Sequence, residues 1–270
     1  MPCEADWPVK EKCMNRRWIG VVVGLMLVAV AVVSAPIAFS QMEQGQPVVY
    51  TFVSQFQVPR ANWATYSEDT EKSAIPIFEK LTADGTILSW STFEPVVHTT
   101  EGYTHGAAWS SSTISGLMKV LDEVRKAGPR PGQIAATKHE DLLMQTSMYA
   151  VGGGGAPAYL RVVCQNAKPD KPEGYAAVLK KYLWPTVEEQ VKKGVISYAG
   201  LDSQYVNTTT PSTRCLVINY PNAEGMDKWA AAVNATLGRM SAADRDAFYG
   251  ATVLDSRRDI MARITHSGHK

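Results

Sequence analysis

A few histidines, arginines, cysteines and aromatic rings are the side chains here whose types and spacing could do chemistry. His98 and His105, with Glu94 and Glu101, place two imidazoles and two carboxylates within twelve residues. Such a group can bind a metal or move protons. Its spacing matches no closed metal site, so neither a metal nor any cofactor is expected, and proton transfer by His105 is the chemistry retained. Cys164 and Cys215 stand in no CxxC pair and no nucleophile motif, and the chain has no Gly-x-Ser-x-Gly elbow. The run Gly152–Gly155 precedes no Walker or dinucleotide pattern and reads as a linker. His139 is expected to be solvated at the start of a strand, and His266 and His269 to lie in a terminal tail.

What must position these groups is a duplication. At a fixed offset of 109 and without a gap, residues 49–124 match 158–233, with 15 identities in 76 positions; average composition would give roughly five. Identical pairs include Tyr50/Tyr159, Tyr66/Tyr175, Pro76/Pro185, Gly85/Gly194 and Gly116/Gly225. Each copy begins with a β-rich run, Val49–Gln55 or Ala158–Cys164. Apolar residues then recur at helical spacing, with a proline at the matching place where the helix must kink or restart. Gly85 and Gly194 have the position of C-terminal helix glycines. Two strands follow in each copy, Thr86–His98 and Tyr103–Ser110, or Val195–Asn207 and Thr213–Tyr220, and then a second helix. Beyond the ungapped match, 139–143 echo 257–261 and open a fourth strand. The second copy has an extra stretch, Ala242–Asp255, before it.

The order β-α-β-β-α-β is ferredoxin-like, an antiparallel sheet with helices on one face. The fold class is therefore α+β: two tandem ferredoxin-like βαββα(β) units at 48–150 and 158–265, joined by a linker at 151–157. The paired units, each carrying Pro-x-x-Glu-x-x-x-x-x-Gly from Pro76 to Gly85 and from Pro185 to Gly194, resemble the dimeric α/β-barrel superfamily. The resemblance implies two sheets facing each other around a cavity, here within one chain. Oxygenases, isomerases, haem proteins and proteins without known activity share that architecture, so it implies no single reaction.

Strand alternation sorts the faces. Leu160, Val162, Cys164, Cys215 and Val217 share one face, with Thr51, Val53, Gln55, Gly106 and Ala108 as their equivalents. These small or apolar groups are expected beneath the helices. The opposite face carries Tyr50, Phe52, His105 and Trp109 in one copy and Tyr159, Arg161, Arg214 and Ile218 in the other. It is expected to look into the shared cavity, with Tyr50, Trp109, Tyr159, Arg161 and Arg214 as ligand-binding residues and His105 as the catalytic candidate. Antiparallel pairing of the first and third strands also brings Cys164 opposite Cys215, which predicts a disulfide.

Net charge is +1 with 20% charged residues, which gives no basis for nucleic-acid binding. Lys10, Lys12, Arg16 and Arg17 precede an uncharged run from Trp18 to Phe39 that ends in Ala38-Phe39-Ser40. This is a signal-peptide pattern over 1–40, with cleavage before Gln41, and Met14 would give it a more usual start. The expected location is periplasmic or secreted; the alternative is a membrane anchor through residues 18–39, the only membrane contact foreseen. The expected function is an exported small-molecule-binding protein holding a ligand, anionic if the arginines meet it, between its sheets. The alternatives are a cofactor-independent oxygenase or isomerase with His105 as general base, and a structural or interaction protein with a filled core. Homo-oligomerisation stays open.

Overall fold

The computed structural model describes residues 47–270 apart from 100–101, 129, 154, 169, 171–173 and 207–212. The expected leader at 1–40, its cleavage point before Gln41, and Glu101 lie outside the described residues. No described helix is long and apolar enough to cross a membrane.

Eight strands close into one antiparallel barrel: β1 (Val49–Gln57), β2 (Ser89–Pro95), β3 (His105–Ser111), β4 (Lys138–Val151), β5 (Tyr159–Ala167), β6 (Tyr198–Gln204), β7 (Thr213–Tyr220) and β8 (Thr252–His269). Their order around the barrel is β1-β3-β2-β8-β5-β7-β6-β4. The fourth strand of each half bridges to the other half: β4 pairs with β1 and β6, and β8 pairs with β5 and β2. This explains why these strands run 14 and 18 residues, far beyond the short echoes seen in the sequence. It also corrects the expected tail, because His266 and His269 are ladder residues of β8 opposite Thr92 and Ser89.

The helices are α1 (Trp63–Asp69), α2 (Ile75–Ala83), α3 (Ile114–Lys126), α4 (Pro131–Ile134), α5 (Gly174–Val178), α6 (Trp184–Lys192), α7 (Ala223–Arg239) and α8 (Ala242–Gly250). The extra stretch of the second half is thus mainly α8. A π-helical turn, Thr70–Ala74, joins α1 to α2, and Leu179–Leu183 does the same between α5 and α6. Pro76 and Pro185 follow in the first turn of the restarted helix, where a missing N–H breaks no ladder. Gly85 and Gly194 then take left-handed φ of 77° and 71°.

The identity of Gly116 and Gly225 has a steric cause. A Cβ there would lie 2.7 Å from the Thr86 carbonyl oxygen and 2.6 Å from that of Val195, so each helix start presses against the turn after the preceding helix. Gly116→Ala should lower stability by about 1–3 kcal/mol, as overpacking does, with Gly225→Ala alike. Urea denaturation reads both, and unchanged midpoints would contradict the close approach.

The expected faces are inverted. Phe52, Trp90 and Trp109 pack outside the sheet with Phe78 and Leu81 of α2 and Leu117 and Val120 of α3. The rings of Phe52 and Trp109 stack at 4.8 Å, and those of Phe78 and Trp90 at 5.3 Å. The barrel interior instead holds Phe93, Leu160, Ala262 and Ile264, with Val53, Ala108, Val162 and Val217 against them. The reason is space: eight strands leave an interior just wide enough for side chains to fill. Phe93 fits there because its partner Gly106 has no side chain, and the neighbours are small or aliphatic, whereas the stacked rings of Phe52, Trp90 and Trp109 occupy the layer beneath the helices.

The expected disulfide is present. Cys164 is the ladder partner of Cys215, their Cα atoms are 4.0 Å apart, and the bond faces the barrel interior rather than the helices.

Candidate functional site

The aromatic layer of the first half opens into a cleft of about 220 Å³ between the sheet and the α1–π-turn segment, lined among others by Tyr66, Glu71, Thr92, Glu94, His105 and His266. Each comes from an outward-facing position. His105 starts β3, Thr92 and Glu94 alternate along β2, and His266 lies opposite Thr92 on β8. Tyr66 ends a turn of α1 and is itself buried. Its phenol is pushed well above the ordinary tyrosine range by burial, with Arg130 opposing.

His105 is the centre of the cleft. It is 3% exposed, with the rings of Tyr66 and Trp63 at 4.5 and 5.5 Å. Its Nδ1 lies 2.9 Å from Thr104 Oγ1, which also accepts from the Val58 amide at 2.9 Å and lies within 3.3 Å of the Phe56 carbonyl oxygen. With the proton on Nδ1, Thr104 accepts twice and donates once, and every group of that corner is satisfied. In that tautomer, the one a general base requires, Nε2 presents its lone pair to the cleft; in the other, Thr104 donates to Nδ1 and Nε2–H points towards Glu94. Nε2 is buried without a hydrogen-bond partner, and the Glu94 carboxylate stands 3.6 Å from it. An orphaned buried polar atom costs about 1–3 kcal/mol, so this nitrogen is set up to meet something. Burial, and then the neighbouring His98, hold the imidazole down at about 4, which keeps it neutral near pH 7.

The rest of the cleft is hydroxyl and carboxylate. Thr92 Oγ1 lies 2.7 Å from Thr265 Oγ1 and 3.4 Å from His266 Nδ1, and His266 Nε2 lies 3.9 Å from Glu71 Oε1. The matching place in the second half is filled. At the offset of 109, Thr70 and Thr92 become Leu179 and Leu201, 2% and 0% exposed, and His105 becomes Arg214. At the two threonine positions the first half keeps polar groups and the second half has buried leucines.

Of the six residues expected at a shared cavity, only His105 lines this cleft. Trp109 and Tyr50 pack beneath α2 and α3, and Tyr50 meets Tyr205 edge-on at 5.3 Å. Tyr159 packs against the second half's own core. Arg161 pairs with Asp259 at 3.1 Å. Arg214, like His105, belongs to the outward set of its sheet, so the two cannot share the interior. Sequence reasoning missed Tyr66, Glu71, Thr92 and His266. The signal lay in the repeat: two threonines replaced by leucines at equivalent positions mark the half that keeps a polar opening.

A second constellation is ruled out by geometry. Ser54 Oγ, His139 and Asp141 Oδ1 lie in a row, but both contacts, at 3.0 and 2.9 Å, fall on the same His139 Nε2. A relay needs one partner on each ring nitrogen. Among the described residues, no group of three His, Cys, Asp or Glu side chains could hold a metal ion. Haem proteins share this architecture, yet a haem does not fit the cleft: its volume lies below the roughly 300–1,000 Å³ that sites for drug-sized ligands occupy, and two rings wall the imidazole.

No protein-family model and no curated protein matches the sequence. Solved structures do match the fold. One, described as a candidate monooxygenase of Lactobacillus acidophilus, aligns with a TM-score of 0.61 at 10% identity over 83% of this chain and 97% of its own. A candidate monooxygenase of Fusobacterium nucleatum gives 0.61 at 12%, over 83% and 95%. A chlorite dismutase variant of Candidatus Nitrospira defluvii gives 0.52 at 11%, over 81% and 92%. At these identities the likeness is one of fold: a mixed α/β chain closed into an eight-stranded antiparallel barrel, similar to the dimeric α/β-barrel proteins.

Proposed function

We propose that this chain is an exported enzyme of the oxygenase or isomerase kind that removes a proton from a small organic substrate bound against His105. Its two halves are read as tandem ferredoxin-like repeats, of which the first carries the site. The observation behind this reading is the buried Nε2 of His105, without a partner, in a residue that lines the cleft of the first half. Neighbours of the same fold described as candidate monooxygenases, together with an anthrone oxidase-like protein at a TM-score of 0.50 and 8% identity, lend it support.

The chemistry follows from the geometry. Nε2 takes a proton from a C–H beside a carbonyl or from an acidic O–H. Thr104 holds Nδ1 and fixes the ring, and Glu94 at 3.6 Å offsets the positive charge as the imidazolium forms. The electron-rich substrate anion is then reprotonated at another carbon, which is isomerisation, or gives up an electron to dioxygen, which opens oxygenation. A ring whose pKa rests near 4 is a weak base, so the substrate must carry a proton already acidified by conjugation.

Native mass spectrometry of the mature protein, looking for a co-purifying small molecule, identifies candidates. Turnover of such a compound should vanish in His105→Ala while binding persists. Unchanged turnover in that variant would refute the assignment. Because the base must be unprotonated, kcat/KM should hold from pH 8 down to about 5 and fall as pH drops through about 4. An inflection near 6.5 instead would place a different histidine at work. Export is tested separately by N-terminal sequencing of protein from its native host, with Gln41 as the expected first residue.

A further inference from the structure

The barrel interior carries a second constellation that the His105 cleft does not use. Across four neighbouring strands the ladder places Asp202 opposite Cys215, Cys215 opposite Cys164, and Cys164 opposite Arg258. Thr146 on β4 extends the row, lying opposite Asp202 and donating to its Oδ1 at 2.8 Å. A buried acid and a disulfide thus stand side by side, with the exposed Arg258 at the next ladder position. The equivalent row of the first half is Phe93, Gly106, Gln55 and Glu140. All four positions differ, so the chemistry belongs to one half and is not a requirement of the barrel.

We propose that this row is a thiol–disulfide exchange site, at which a dithiol reductant attacks Cys164 Sγ and Asp202 protonates the Cys215 thiolate that leaves. Cys164 is the more open sulfur, being half-buried where Cys215 is buried. In the first step the reductant's thiolate bonds to Cys164 Sγ and the Cys164–Cys215 bond breaks. A thiolate left at Cys215 would be a charge in an apolar interior, which is costly without a proton donor. Asp202 is the adjacent acid, and burial raises it to about 6. In the second step the reductant's other thiolate attacks the reductant-derived sulfur of the mixed disulfide, and Cys164 departs as a thiolate at the ladder position opposite Arg258, whose positive charge favours it. The sum balances: the dithiol becomes a disulfide, two electrons pass to the protein, and the two protons the dithiol releases on ionising return through water, one to Cys164 and one to recharge Asp202, so that Cys164 and Cys215 end as thiols. Other titratable groups near the row are Tyr198 and Tyr149 on the Asp202 side, and Tyr103 and Glu140 near Arg258.

The test uses the folded, oxidised mature chain with dithiothreitol at pH 5.5, following Cys164 and Cys215 by alkylation and mass spectrometry. The rate should rise linearly with dithiothreitol, because attack occurs on the folded protein. Asp202→Asn, which keeps size and an acceptor oxygen, should slow it at least tenfold. That difference should shrink at pH 8, where Asp202 has lost its proton. Arg258→Gln, at an exposed side chain, should slow it several-fold without disturbing the fold. A rate independent of dithiothreitol would show that reduction waits for unfolding and overturns the proposal. So would equal rates for Asp202→Asn and the unaltered chain at both pH values.

Discussion

With Cys164 and Cys215 both replaced by alanine, the protein should lose roughly 4 kcal/mol of stability, the largest single effect expected here. The bond joins residues 51 apart in sequence, and the loop it closes contains the helices α5 and α6, their π-helical turn and β6. Without it the unfolded chain regains the freedom of that whole loop, while the folded barrel keeps its ladder, because the two positions are already direct partners between β5 and β7. Alanine at both positions avoids a lone thiol in the interior. Urea unfolding of the double variant and of the oxidised chain, under identical conditions, reads the difference as a midpoint shift. A loss below about 1 kcal/mol would mean that strand pairing alone restricts the unfolded chain and that the link adds little.

Much of this architecture was legible in the sequence, and the reason is local. The ungapped repeat required each half to have the same element order, and Pro76, Gly85, Gly116 and their partners punctuate helices and turns in ways that only a few geometries satisfy. The opposed cysteines followed from antiparallel neighbours. What stayed hidden was which face of each strand looks inward. Alternation divides Phe52 and Trp109 from Val53 and Ala108, but period two has no sign. The sign comes from closure, since β8 pairing with β2 and β4 pairing with β6 make a narrow interior that takes Phe93 over Gly106 but not the stacked rings of Phe52, Trp90 and Trp109. The site was half-legible for the same reason. His105 stood out by type, whereas Tyr66, Thr92 and His266 gain meaning only when α1 and β8 converge on it. Asp202, followed in its strand by Ser203 and Gln204, gave no signal at all until its ladder partners were known.

Acidification should move Asp202 and His105 in opposite directions, so that the unaltered protein hides an effect its variants reveal. Asp202 is raised from 3.8 to about 6 by burial, partly offset by the Thr146 hydroxyl. Its folded state binds a proton more readily than the unfolded state does. The barrel is therefore favoured below pH 4 and loses about 3 kcal/mol as pH rises through 6, at 1.36 kcal/mol per pKa unit. His105 runs the other way. Lowered from 6.5 to about 4, it stabilises the fold above pH 6.5 and costs about 3 kcal/mol as pH falls to 4. Between pH 4 and 6.5 the two slopes nearly cancel. Asp202→Asn removes one of them, so its stability should exceed the unaltered protein's by about 3 kcal/mol at pH 7.5, match it near pH 3.5, and fall with acid as His105 is forced to charge. His105→Gln should show the reverse slope, gaining stability from pH 7.5 to 4 whatever its absolute level. Urea unfolding at four pH values measures both slopes. Parallel curves for the two variants would show that neither group is desolvated as its surroundings imply.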